Sequence, residues 1–159
     1  MNTGLSQQNR SAMVKHLEIL LANEYILYTK TLKFHWNVEG PHFGALHAFF
    51  QKQYEQLLTI IDDVAERMRA LDHVSTGTLT EFLQQTTLTE LPGENPKDLE
   101  MIALLLHDHE VIIRQVRKDA DIATQHQDTG TNNFLAELLE THEKMAWMLR
   151  AHIKGISSN

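Results

Sequence analysis

The chain has 159 residues, 42% of them apolar, enough for one domain whose core removes roughly two-thirds of the unfolded surface from water. It contains no cysteine, which excludes disulfides, thiolate metal sites and cysteine nucleophiles and fits a reducing compartment such as the cytoplasm. A net charge of −7 argues against a general electrostatic grip on phosphate backbones or anionic lipid, and no apolar run of signal-peptide or membrane-spanning length is present, so a soluble protein is expected.

A short polar segment, residues 1–8, precedes the first periodic stretch. From about Gln8 to Val38, Met13, Leu17, Leu20, Leu21, Glu24, Ile26, Tyr28, Leu32 and Phe34 recur mostly three and four residues apart, with no Gly or Pro between them. That spacing predicts a long first helix. Gly40 and Pro41 break it, and Pro41 suits the first turn of a second helix expected from about His42 to Leu71. Phe43, Leu46, Phe50, Tyr54, Leu57, Leu58, Ile61, Val64, Ala65, Met68 and Leu71 follow the heptad-like rhythm of a bundle helix.

Between Asp72 and Glu94 the composition shifts to Ser, Thr and Gly around one amphipathic patch, Leu79 to Gln84. A long crossover with a helix of one or two turns is expected there. Asn95 and Pro96 then read as N-cap and first residue of a third long helix, with Asp98 and Glu100 near its positive end. It runs through Leu99, Ile102, Leu106, Ile113, Val116 and Ala120 and fades near Gln125. After the polar turn HQDTGTNN, a fourth helix carries Phe134, Leu135, Leu138, Leu139, Met145, Met148, Leu149 and Ile153. The expected fold is all-α: a four-helix bundle in a single domain, 1–159, with the crossover and its short helix between the second and third long helices. No glycine-rich phosphate loop or internal repeat is present, which leaves nucleotide chemistry without support.

The chemistry concentrates on the second helix. His47, Gln51, Asp62 and Glu66 fall within about 100° of arc at 100° per residue, a ligand-rich stripe on an otherwise apolar segment. At 1.5 Å rise per residue, His47 and Asp62 are roughly 22 Å apart along the axis and cannot share an ion within one chain. If two copies of the helix cross antiparallel about a two-fold axis, the ends of the stripe are exchanged, and His47 of one chain approaches Asp62 and Glu66 of the other. His35 adds a second imidazole in the last turn of the first helix. Carboxylates with imidazoles suit iron, manganese or zinc better than calcium, and redox work needs iron.

The HW pair at His35, the histidine twelve residues on at His47, the run DDVAERM containing Asp62 and Glu66, and the ending HEKMAWMLRAHI from His142 together resemble the Dps family, the ferritin-like mini-ferritins. The resemblance covers nearly the whole chain. It implies a hollow dodecamer of four-helix subunits that oxidises Fe(II) at dimer interfaces, usually with hydrogen peroxide, otherwise with dioxygen, and stores ferric mineral inside. It further implies that His35, His47 and position 51 come from one subunit, and that Asp62 and Glu66 come from its two-fold mate and bind the tighter iron with His35. Trp36 is implied as an electron donor and radical quencher near the iron, the alternative for a tryptophan there being aromatic core filling. Position 51 is usually acidic in the family; here Gln51, a neutral amide, makes a weaker second iron position the expectation. Zinc or manganese are possible substitutes at rest.

Iron entry in the family uses acidic pores near the connection between the third and fourth long helices, where this chain offers Asp121 and Asp128. His107, His109, His126, His142 and His152 are expected at the surface or in subunit contacts, with LLLHDHE from Leu104 a weak zinc candidate. An ordinary ferritin would need Glu-x-x-His on two helices, and the only such pair is Glu39 to His42, across Gly40-Pro41. A DNA-compacting protein with little ferroxidase activity is the alternative. The first nine residues hold no Lys or Arg, and the ending HIKGISSN supplies only Lys154, so DNA binding is expected to be weak.

Overall fold

The computed structural model describes residues 2–154, so Met1 and the last five residues of the HIKGISSN ending lie outside it. Its elements are α1 (Gln7–Asn37), α2 (Phe43–Ala70), α3 (Leu79–Gln85), α4 (Asp98–Gln125) and α5 (Thr129–Ile153), with no strand among the described residues. No helix is long and apolar enough to cross a membrane.

α1 is capped by Ser6, whose hydroxyl accepts from Asn9 N, and it packs against α2, α3 and α4. Being enclosed on several sides, it buries residues around much of its circumference, including Met13, Leu17, Leu20, Leu21, Leu27 and Phe34. Each such side chain contributes on the order of 1.5–3 kcal/mol by leaving water. α2 divides more sharply. Leu46, Phe50, Leu57, Val64 and Met68 are buried at helical spacing, while Gln51, Glu55, Leu58, Asp62 and Glu66 line its exposed side.

Packed neighbours run antiparallel, so α2 and α4, joined by the long crossover, point the same way. Lys30 pairs with Asp108 and His16 with Asp119, so α1 runs antiparallel to α4; Arg67 pairs with Asp128 while Gln53 donates to the Met145 carbonyl, so α2 runs antiparallel to α5. The crossover is fastened to α1 by Asn23, whose amide bonds Thr86, Thr87 and Gln115, and by Phe82 stacked on Tyr25 at 4.5 Å. α3 opens with a reciprocal cap between Thr78 and Glu81.

Two helix starts differ from expectation. α4 begins at Asp98 with Lys97 as N-cap, two residues late, because the Asn95 amide donates to the Asn37 carbonyl instead of capping. α5 begins at Thr129, inside the polar turn: Asp128 accepts from Thr131 N at 3.0 Å and starts the helix before its first large apolar residue.

Candidate functional site

The turn between α1 and α2 brings two histidines face to face. Val38 is extended and Gly40 takes φ 100°, a left-handed conformation that reverses the chain within a few residues. His35 in the last turn of α1 therefore stacks on His47 near the start of α2, with ring centroids 3.8 Å apart and planes 22° from parallel. His35 Nδ1 lies 2.8 Å from the His47 carbonyl oxygen, and His47 Nδ1 lies 2.9 Å from the His35 carbonyl oxygen. A carbonyl only accepts, so both rings carry a proton on Nδ1, and in the neutral ring Nε2 is the nitrogen that offers a lone pair to another partner. Tyr54 stands edge-on to His35 at 5.2 Å and Phe43 lies 5.1 Å from His47, which restrains both rings. His35 is 8% exposed, so most of its ring is closed off from solvent within the single chain.

The remaining predicted ligands lie farther along the exposed side of α2. Gln51 donates through Nε2 to Glu55 Oε1 at 2.8 Å. Asp62 and Glu66 follow within the same unbroken helix, and the arginines nearest them are already engaged. Arg67 bonds Asp128 and Thr131, and Arg69 donates to the His73 carbonyl. Both carboxylates are left without an ion-pair partner among the described residues. Asp62 borders a shallow concavity with Leu58, Thr59, Ile61 and Ala65, and Leu58 is 52% exposed. Because α2 is continuous from Phe43 to Ala70, the axial gap of roughly 22 Å from His47 to Asp62 stands. Among the described residues no three His, Asp or Glu side chains within one subunit are grouped so as to hold a metal ion.

The other singled-out residues separate in the structure. Trp36 is 67% exposed, so it does not fill the core. Asp121 is exposed on α4. Asp128 is not: it is buried, Oδ1 accepts from Arg67 and Thr131 N, and Oδ2 accepts from the Thr131 hydroxyl, so its charge closes the α5 start. The LLLHDHE cluster also disperses. His107 is exposed, Asp108 is paired with Lys30 and His109 turns into the core.

A buried polar chain was missed by sequence reasoning. His109 and His142, expected at the surface or in subunit contacts, are both fully buried with Glu24 inside the subunit. Their Nδ1 atoms are 3.0 Å apart, so one ring donates and the other accepts. His142 Nε2 lies 2.9 Å from Glu24 Oε1 but out of hydrogen-bond alignment, and His109 Nε2 has no partner. Burial, and secondarily the neighbouring His142, hold His109 well below the ordinary imidazole range. The signals were present: Glu24 occupies a core position in α1, and His142 precedes Met145 and Leu149 at core spacing.

A family model described as a ferritin-like domain matches residues 14–158. A low temperature-induced protein of Nostoc is 43% identical over 97% of this chain and 87% of its own length. DNA protection during starvation protein 2 of Bacillus anthracis is 32% identical over 89% of this chain and 96% of its own length. The crystal structure of a Dps protein from Vibrio cholerae, described as a member of a broad superfamily of ferritin-like diiron-carboxylate proteins, superposes with a TM-score of 0.92 at 27% identity over 97% of both chains.

Proposed function

We propose that this chain, which belongs to the Dps family of ferritin-like proteins, oxidises Fe(II) at sites shared between two-fold-related subunits and stores the ferric product in a hollow dodecamer. At the level its relatives support, it is an iron-storage and DNA-protection mini-ferritin. The observation that carries the finer proposal is the split of the ligand set: two imidazoles with bare Nε2 atoms at one end of α2, and two unpaired carboxylates about 22 Å away at the other. Each half is an incomplete iron site, and an antiparallel two-fold pairing of α2 joins one half to the other.

In this scheme His35 and the mate's Asp62 and Glu66 hold the tighter iron, and His47 with Gln51 holds the weaker one. The imidazoles contribute fixed donors, already in the tautomer that binds metal, so no rearrangement precedes ion entry. The carboxylates neutralise charge as Fe(III) forms. Two ferrous ions together deliver two electrons to one hydrogen peroxide, which takes up two protons and leaves as two waters. A single ferrous ion would instead release hydroxyl radical. Trp36, the exposed residue that follows His35 in the chain, would supply an electron when only one iron is present. Dioxygen is the alternative oxidant, and zinc or manganese are competing ions for the same donors.

DNA protection then follows from removing peroxide and ferrous iron, without contact with DNA. The chain's net charge of −7 favours this over the alternative of a DNA-compacting protein with little ferroxidase activity. A summed charge of about −84 over twelve copies would draw cations toward the shell, with Asp121 a candidate at the entry pore. The test is a peroxide pulse into anaerobic protein loaded with Fe(II). Two irons oxidised per peroxide without spin-trapped hydroxyl radical is the expected result; radical yields equal to those of free iron would overturn it.

A further inference from the structure

We infer that Glu55 is the positioning residue that makes Gln51 usable as an iron ligand, compensating for the carboxylate missing at position 51; the inference rests on the shared-site proposal above. Gln51 Nε2 donates to Glu55 Oε1 at 2.8 Å. A carboxylate only accepts, so the amide is held with its nitrogen toward Glu55 and its oxygen as the end left to face a metal. Without that contact the amide is free to present an N–H group, which cannot coordinate, in half of its orientations.

Glu55 also supplies charge where it is needed. On a wheel of 100° per residue it falls about 80° from His47, between Asp62 and Glu66 in angle, so it belongs to the ligand stripe itself. It stands one helical turn beyond Gln51, on the exposed side of α2, and forms no ion pair among the described residues. Hydrogen bonding to a carboxylate also polarises the amide and makes its oxygen a better electron-pair donor. The pair therefore acts as a carboxylate delivered through an amide: geometry from Gln51, charge from Glu55.

The experiment is anaerobic titration of the assembled protein with Co(II), followed by its visible ligand-field spectrum and by calorimetry, with no oxidation step. Wild type should show a tight and a weak class of bound ion. Glu55→Ala should weaken the second class by about 10–100-fold, the usual cost of losing an outer-shell partner, and leave the tight class within a factor of about two. Adding Gln51→Glu to Glu55→Ala should restore the weak class, a rescue that a merely structural role for Glu55 would not produce. An unchanged weak class in Glu55→Ala, or no recovery in the double variant, overturns the inference while leaving the shared site standing. Asp62→Asn is the control: if the tight class survives it, the shared-site proposal fails and this inference with it.

Discussion

His35 and His47 each donate Nδ1–H to the other's main-chain carbonyl, at 2.8 and 2.9 Å, while their rings stack at 3.8 Å. The pair is thus held with Nδ1 protonated, the tautomer that the proposed iron site requires. Nitrogen-15 NMR of the metal-free protein at neutral to mildly alkaline pH should find Nδ1 protonated and Nε2 bare in both rings. A proton on Nε2 of either ring would contradict the arrangement.

His35→Ala removes one proposed donor of the tighter position together with a buried ring that stacks on His47 and packs edge-on to Tyr54. Affinity for the first Fe(II) under anaerobic conditions should fall by more than about tenfold. The melting temperature should fall without loss of the fold, because a stacked ring and its hydrogen bond to the His47 carbonyl are lost. A loss of folding with intact metal affinity would assign the pair a purely structural role.

His142→Ala leaves Glu24 fully buried without its neighbour. Leaving a buried polar group without a neighbouring partner costs about 1–3 kcal/mol, and replacing that group by an apolar residue recovers much of it. Denaturant unfolding at fixed protein concentration should therefore show a large loss for His142→Ala and partial recovery on adding Glu24→Leu. Additive losses would mean that the two side chains do not act together.

The depressed His109 sets the sign of an acid effect. Its folded value is lowered, chiefly by burial and then by His142, so the unfolded chain binds a proton that the native chain refuses. The stability involved is fully present above the unfolded imidazole value of about 6.5 and is lost as pH falls below it. Asp108 and Asp119, both raised by burial, work in the opposite sense, gaining stability as they protonate at lower pH. Thermal melts between neutral pH and pH 5 should fall in wild type and flatten in His109→Gln; equal slopes would remove His109 as the cause.

Asp128 joins a helix cap to a buried ion pair with Arg67. Asp128→Asn keeps the acceptor for Thr131 N and should cost less than Asp128→Ala, which loses the cap as well, about 1 kcal/mol more. Differential unfolding of the two variants checks the ordering.

Helix order and the ligand stripe were legible because they rest on local periodicity: Leu46, Phe50, Leu57 and Val64 announce the inner face of α2, and the polar residues left over define its outer face. What sequence could not supply is tertiary competition. Asn95 looks like a cap until the Asn37 carbonyl claims its amide, and Asp128 looks like a loop acid until Arg67 and Thr131 claim both its oxygens. The His109–His142 contact joins residues 33 positions apart on different helices, so no local pattern announces it. Glu24 and His142 each stand at core spacing in their own helices, yet nothing local shows that they meet.

The central claim is that each iron centre is built from two chains, and subunit mixing tests it most directly. His35→Ala/His47→Ala protein and Asp62→Asn/Glu66→Gln protein should each be inactive as homo-oligomers. When dissociated, mixed in equal amounts and reassembled, half of the two-fold pairs should be mixed, each regaining one of its two sites, so about one quarter of wild-type ferroxidase activity should return. Mixed assemblies that stay inactive, as expected if each chain had to hold a whole site by itself, would contradict it.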